Sequence, residues 1–206
     1  MKRERIAMRV WKWVGKGEWM WYDGGEVIKN FTDYLKLHNI PHVTDIDNGC
    51  PRFTMVYDAK NAPNHSVESC IWFYDHDVAE ARCYYTAMGA AICKDSEHKD
   101  GLLRLLNFIN ARVFLDSGDG SGLYEPHMLY NPRIYMTEDD CFDITITTMI
   151  NYDFWEIAPV ETADYLTAYC PELLDRLAPS VFGVLLGKFT VDEAINYIRK
   201  KILENT

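Results

Sequence analysis

Chemistry in this 206-residue chain would have to come from a handful of short stretches. Gly118-Asp119-Gly120-Ser121-Gly122 contains a Gly-Ser-Gly step. A nucleophile elbow needs the serine at the centre of G-x-S-x-G, on a strand-to-helix turn. Ser121 is off-centre and the next segment reads as a strand, so the stretch is read as a polar loop. Asp116 and Asp119 are carboxylates of the kind calcium takes, but the closing Glu of an EF-hand is replaced by Met128 or Leu129. Asp75-His76-Asp77 combines imidazole and carboxylates that suit divalent ions. A site needs more ligands, and His38, His42, His65, His98 and His127 are scattered without an H-x-x-x-H pair, so a solvated hairpin tip is the better reading. Glu138-Asp139-Asp140 reads as a turn with exposed acids, whereas acid–base catalysis needs one carboxyl in an apolar setting. Gly24-Gly25 precedes a helix and could offer N–H groups to an anion, although helix starts use glycine for backbone reasons. There is no Walker A and no G-x-G-x-x-G. No catalytic residue, metal or cofactor is assigned.

The least ordinary feature is a tryptophan cluster. Trp11, Trp13, Trp19 and Trp21 are four of the six tryptophans, interleaved with Lys12 and flanked by Arg9 and Lys16. Tryptophan and arginine are enriched in binding hot spots, so these four are the candidate partner-binding residues. The competing reading is a small satellite core.

Length and composition bound what surrounds these groups. A 206-residue chain buries enough surface to hold a core without staples. The net charge of −10 repels phosphate backbones, which argues against nucleic acid. Residues 1–17 carry six basic side chains and one acid, so this segment is +5 and the remainder −15. No apolar run reaches the roughly 20 residues of a membrane span. The basic start leads into no signal-peptide core, which predicts a cytoplasmic protein. Cys50, Cys70, Cys83, Cys93, Cys141 and Cys170 are widely spread with no C-x-x-C, as expected of buried thiols.

The elements follow from periodicity. Trp11-Lys12-Trp13 and Trp19-Met20-Trp21 alternate around Gly15-Lys16-Gly17, which predicts a hairpin; a helical stripe of Ile6, Val10, Trp13 and Val14 is the competitor. Asp23 and Glu26 resemble a capping box opening a helix over about 25–38, with Asn39 and Pro41 ending it. Strands are expected at Arg52–Asp58, Val67–Tyr74 and Ala79–Met88, as an antiparallel meander. A helix is expected from near Ser96 to Asn110, on Leu102, Leu105, Leu106 and Ile109. Short strands at Arg112–Leu115, Met128–Met136 and Phe142–Thr148 follow, with Phe142, Ile144 and Ile146 facing in and Asp143, Thr145 and Thr147 out. Pro159 opens a helix that Pro171 ends or kinks; Pro179–Leu186 is a short helix stopped by Gly187. Thr190 and Glu193 cap the last helix, whose inner face is Ala194, Ile195, Ile198 and Ile202. The fold is therefore α+β: an antiparallel sheet packed by helices, in the order α-β(3-4)-α-β(3)-α. An N-terminal Trp-rich hairpin appendage over 1–22 precedes a single domain over 23–206.

With this order, and with Leu102–Leu115 (LLRLLNFINARVFL) and the acidic helical stretch Glu161–Ala178 as its most suggestive segments, the region Val27–Ile202 resembles the YbjN-like family of bacterial proteins and the type III secretion chaperone-like fold. The resemblance implies a non-enzymatic, acidic, often dimeric protein that binds another polypeptide or modulates a regulatory system. It brings no catalytic residues. The expectation is a chaperone-like or regulatory module that binds a polypeptide or itself as a homodimer. A small-ligand-binding domain or small enzyme, using His76, Asp77 or Asp119, is the alternative.

Overall fold

The computed structural model describes residues 11–14, 18–21, 24–114, 130–138 and 141–203, of which 11–14 and 18–21 are described as backbone alone. The tryptophan-rich segment forms the expected hairpin: β1 (Trp11–Val14) and β2 (Glu18–Trp21) pair antiparallel, Trp11 against Trp21 and Trp13 against Trp19.

Helix α1 (Gly24–Leu37) follows and buries Val27, Phe31 and Leu35, a stripe at helical spacing. It ends as the sequence predicts. Asn39 takes φ 54°, and Ile40 N–H closes back on Leu35 O at 2.9 Å.

Next comes a meander of β3 (Val43–Asp47), β4 (Cys50–Asp58), β5 (Ser66–Tyr74) and β6 (Val78–Tyr85). Strand β3 is an addition to the expected set. Asn48 (φ 50°) and Gly49 (φ 86°) form the two-residue turn that joins it to β4. The β5–β6 turn uses three residues, Asp75 to Asp77, and Asp77 supplies the left-handed position at φ 63°. The expected strand Ala79–Met88 stops at Tyr85, because α2 (Ala87–Asp95) begins there. Gly89 lets α2 approach closely: a Cβ there would lie 2.5 Å from Tyr85 Cβ.

Helix α3 (Lys99–Arg112) runs through Asn110 and Arg112, so the short strand expected at 112–115 begins as helix. Ser96 does not cap it; its Oγ instead accepts His98 N–H. Strands β7 (Arg133–Met136) and β8 (Ile144–Asn151) then pair with each other. The sheet order is β3-β4-β5-β6-β8-β7, antiparallel throughout. Phe142 lies before β8, at φ 56°, rather than within it.

The C-terminal helices are α4 (Tyr152–Ile157), α5 (Pro159–Asp164), α6 (Cys170–Leu185) and α7 (Val191–Ile198). Tyr165–Tyr169 joins α5 to α6 as a wide π-helical turn, with Cys170 N–H bonded to Tyr165 O. Pro171 therefore sits in the first turn of α6, where no N–H is needed, and does not end the helix. Pro179 lies inside α6 rather than starting a new helix; Leu177, Ala178 and Val181 around it are fully buried and hold the segment helical. Gly187 (φ 66°) terminates it, and the Thr190–Glu193 capping box opens α7 as predicted.

Helices cover one face of the sheet. Phe31, Phe53, Phe73 and Trp155 meet there with ring centroids 5.3–5.5 Å apart in four close pairs, counting Phe31–Phe53, Phe31–Trp155, Phe53–Phe73 and Phe73–Trp155. Ile144 and Ile146 are buried on this face, as the alternation requires. Thr145, expected on a solvated face, is also buried, because the opposite face is lined by large side chains.

Candidate functional site: the open face and edge of the sheet

On the face away from the helices, register rather than sequence distance decides which residues meet. One row reads Asp45 (β3), Arg52 (β4), Trp72 (β5), Glu80 (β6) and Met149 (β8). The next reads Val43, Thr54, Cys70, Arg82, Thr147 and Arg133. Trp72 is central. The Arg82 guanidinium lies 5.2 Å from its ring centroid and that of Arg52 5.9 Å, both within cation–π range. Its Nε1–H donates to Asp47 Oδ2 at 2.8 Å.

Carboxylates fix both guanidiniums. Arg52 donates from Nε and NH2 to the two oxygens of Asp45, at 2.9 and 2.6 Å, and from NH1 to Asp47 at 3.2 Å. The Arg52 bond holds the Asp45 carboxyl below its ordinary pKa. Arg82 Nε donates to Glu80 Oε1, and Tyr74 OH to Glu80 Oε2, each at 2.7 Å. Burial, together with that bond to Glu80, pushes the Tyr74 phenol up to about 12. Beside them Tyr84 OH donates to Glu68, with Cys70 Sγ 3.5 Å from the same hydroxyl. Burial, then the Cys70 and Glu68 contacts, raises the Tyr84 pKa well above its usual range. The face is thus a pre-ordered grid of donors, acceptors and one aromatic edge, suited to recognition.

The two edges of the sheet differ. At β7, Asn110 of α3 donates its amide to Ile134 O and accepts Ile134 N–H, both at 2.8 Å, and so stands in for a neighbouring strand. Among the described residues no element pairs with the outer side of β3, and Val43 and Ile46 are 69% and 68% exposed.

The residues singled out from sequence fall elsewhere. Trp11, Trp13, Trp19 and Trp21 lie in register on the hairpin, but their side chains are outside what is described. So are Asp23, Asp116, Asp119, Ser121, His127, Asp139, Asp140 and the arm at 1–10; Glu138 is exposed. Asp75 and His76 are exposed at their turn; burial, then Asp153, raises the Asp77 pKa. His38 lies tilted against Tyr34, His42 bonds Ile40 O and His65 bonds Lys60 O, so the described histidines do not converge. Among the described residues, no group of three His, Cys, Asp or Glu side chains could hold a metal ion. Gly24 opens α1 with Tyr152 3.3 Å from where its Cβ would be. Cys70, Cys83, Cys93 and Cys170 are buried free thiols, while Cys50 is half-buried and Cys141 exposed. Ser69, Cys83, Thr148 and Cys170 line a small interior cavity under the helices. Sequence reasoning missed Arg52, Trp72 and Arg82; alternation marks them as outward-facing, but only the strand register brings them together.

Set against known proteins, the chain matches no family model, no curated protein and no solved structure. No helix among the described residues is long and apolar enough to cross a membrane.

Proposed function

We propose that this chain is a non-enzymatic polypeptide-binding module, chaperone-like or regulatory, of a bacterial cytoplasm. The observation that carries the reading is the contrast between the two sheet edges: Asn110 occupies the edge at β7, while β3 presents its outer side with Val43 and Ile46 exposed. An unpaired edge beside an ordered aromatic and charged face is the surface that β-strand addition uses. The resemblance to YbjN-like proteins and secretion chaperones supports the same class. The tryptophan hairpin is a second contact for the partner; self-association as a homodimer, also proposed, would use a surface other than the β3 edge.

The test is intrinsic tryptophan fluorescence against a panel of extended peptides and, separately, a panel of metabolites. Shifts with peptides, lost in Trp72→Phe or Trp19→Ala, are expected. A shift with metabolites alone overturns the reading in favour of a small-ligand domain or enzyme. Light scattering that gives a monomer mass at high micromolar concentration refutes the homodimer.

A further inference from the structure

We infer that the free edge of β3 accepts an extended polypeptide whose basic side chains alternate with apolar ones, and that it disfavours a second copy of itself. The inference rests on the polypeptide-binding reading above and names the partner's chemistry.

The register fixes which backbone groups are free. The two-residue turn Asn48-Gly49 closes on the pair Asp47–Cys50. Antiparallel pairs alternate between hydrogen-bonded and non-bonded. Val43, Asp45 and Asp47 therefore direct their peptide groups at β4, and Thr44 and Ile46 direct theirs outward. The side chains set the chemistry. On the open face, signs alternate from Glu80 past Trp72 to Arg52 and Asp45, so the row ends in a carboxylate whose next neighbour should be a cation. Asp45 is 47% exposed and Asp47 33%. On the other face Ile46, 68% exposed, calls for an apolar neighbour.

The same register argues against self-pairing. An antiparallel partner copy that bonds Thr44 to Ile46 sets Asp45 against Asp45. Pairing Ile46 with Ile46 sets Asp45 against Asp47 twice. Like charges directly opposite destabilise a pair. Pairing Thr44 with Thr44 avoids this but overlaps only residues 43–45 of each strand.

The experiment is fluorescence anisotropy with a labelled peptide of alternating lysine and valine, set against the same peptide with glutamate for lysine. Thr44→Pro is the key variant: its N–H points away from β4, so proline removes no bond of the β3–β4 ladder. We expect the lysine peptide to bind about tenfold or more tighter than the glutamate peptide, and Thr44→Pro to weaken it about tenfold with its melting midpoint unchanged. An N-methylated lysine peptide, unable to donate to the edge, should fail to bind and serves if Thr44→Pro does not fold. Equal binding of both charge forms, of the N-methylated peptide or to a folded Thr44→Pro, or a dimer that Thr44→Pro disrupts, overturns the inference. Peptide binding that ignores Thr44 leaves the broader reading standing; if no peptide of any composition binds, both fall.

Discussion

Asp175, in the first half of α6, ties the β4–β5 connection to the helical layer, and its removal has a calculable effect. Its Oδ1 accepts the backbone N–H groups of Asn61 at 2.6 Å and Ala62 at 3.0 Å, and its Oδ2 accepts Asn61 Nδ2 at 3.0 Å. Asn61 lies at the surface and can turn to water. Ala62 is 4% exposed and its N–H cannot. A buried donor left without a partner costs about 1–3 kcal/mol. Asp175→Ala should therefore lose about 2 kcal/mol, which for a chain of this size lowers the thermal midpoint by about 4–8 °C. Asp175→Asn keeps an acceptor oxygen but not its charge, and charged hydrogen bonds are about twice as strong as neutral ones, so about half the loss is expected. Circular dichroism melts of the three proteins at neutral pH decide it. An Asp175→Ala midpoint indistinguishable from wild type, or an asparagine variant as impaired as the alanine one, refutes the reasoning.

Other consequences are equally open to measurement. Gly183→Ala would set a Cβ 2.4 Å from Phe189 Cδ2, and overpacking of this kind costs about 1–3 kcal/mol; urea denaturation should record the loss, and adding Phe189→Leu should recover part of it. Asp77→Gly should stabilise by about 0.5–1 kcal/mol, because glycine takes φ 63° without strain and removes a buried Oδ2 that has no hydrogen-bond partner among the described residues; an unchanged or lower urea midpoint counts against this. Burial, then Glu68, raises the Asp143 pKa in the folded state. Folding thus favours its protonated form: the stability this gives is present below the unfolded carboxylate pKa and is lost as pH rises through the raised one. Asp143→Asn should be more stable than wild type at neutral pH, and the gain should vanish on acidification. A gain that grows as pH falls contradicts the assignment.

Local signals were readable wherever a short stretch decides its own conformation. Asn39, Gly187 and the Thr190–Glu193 box set helix ends within one or two residues, and the Gly-rich turn between tryptophan pairs set a hairpin. The class, an antiparallel sheet packed by helices, followed from the β-branched and aromatic content of Val67–Tyr74 and the alternation over Phe142–Thr148. Where packing overrides propensity, the sequence misleads. Pro179 reads as a boundary, yet buried neighbours on both sides hold it within α6. The small residues of α2 carry too weak a stripe to separate them from β6. The turn Asn48-Gly49 is a hairpin signal, but Val43–Asp47 is short and largely polar and exposed, so β3, the strand on which the candidate edge rests, was not expected. The Arg52–Trp72–Arg82 stack and the Asp175 anchor join residues far apart in the chain, and periodicity carries no information on such meetings.

The π-helical turn at Tyr165–Tyr169 makes the join between α5 and α6 sensitive to chain length. Successive residues of a helix are rotated by about 100°. Deleting one residue there would let the turn relax to ordinary helix, but would swing everything downstream by that angle. Leu173, Leu174, Leu177 and Val181, now buried against the core, would be turned sideways, and the Asp175 carboxylate would leave the β4–β5 loop it grips. The wide turn acts as a phase adjuster: one surplus residue lets two helical stripes, each periodic on its own, point at the same sheet.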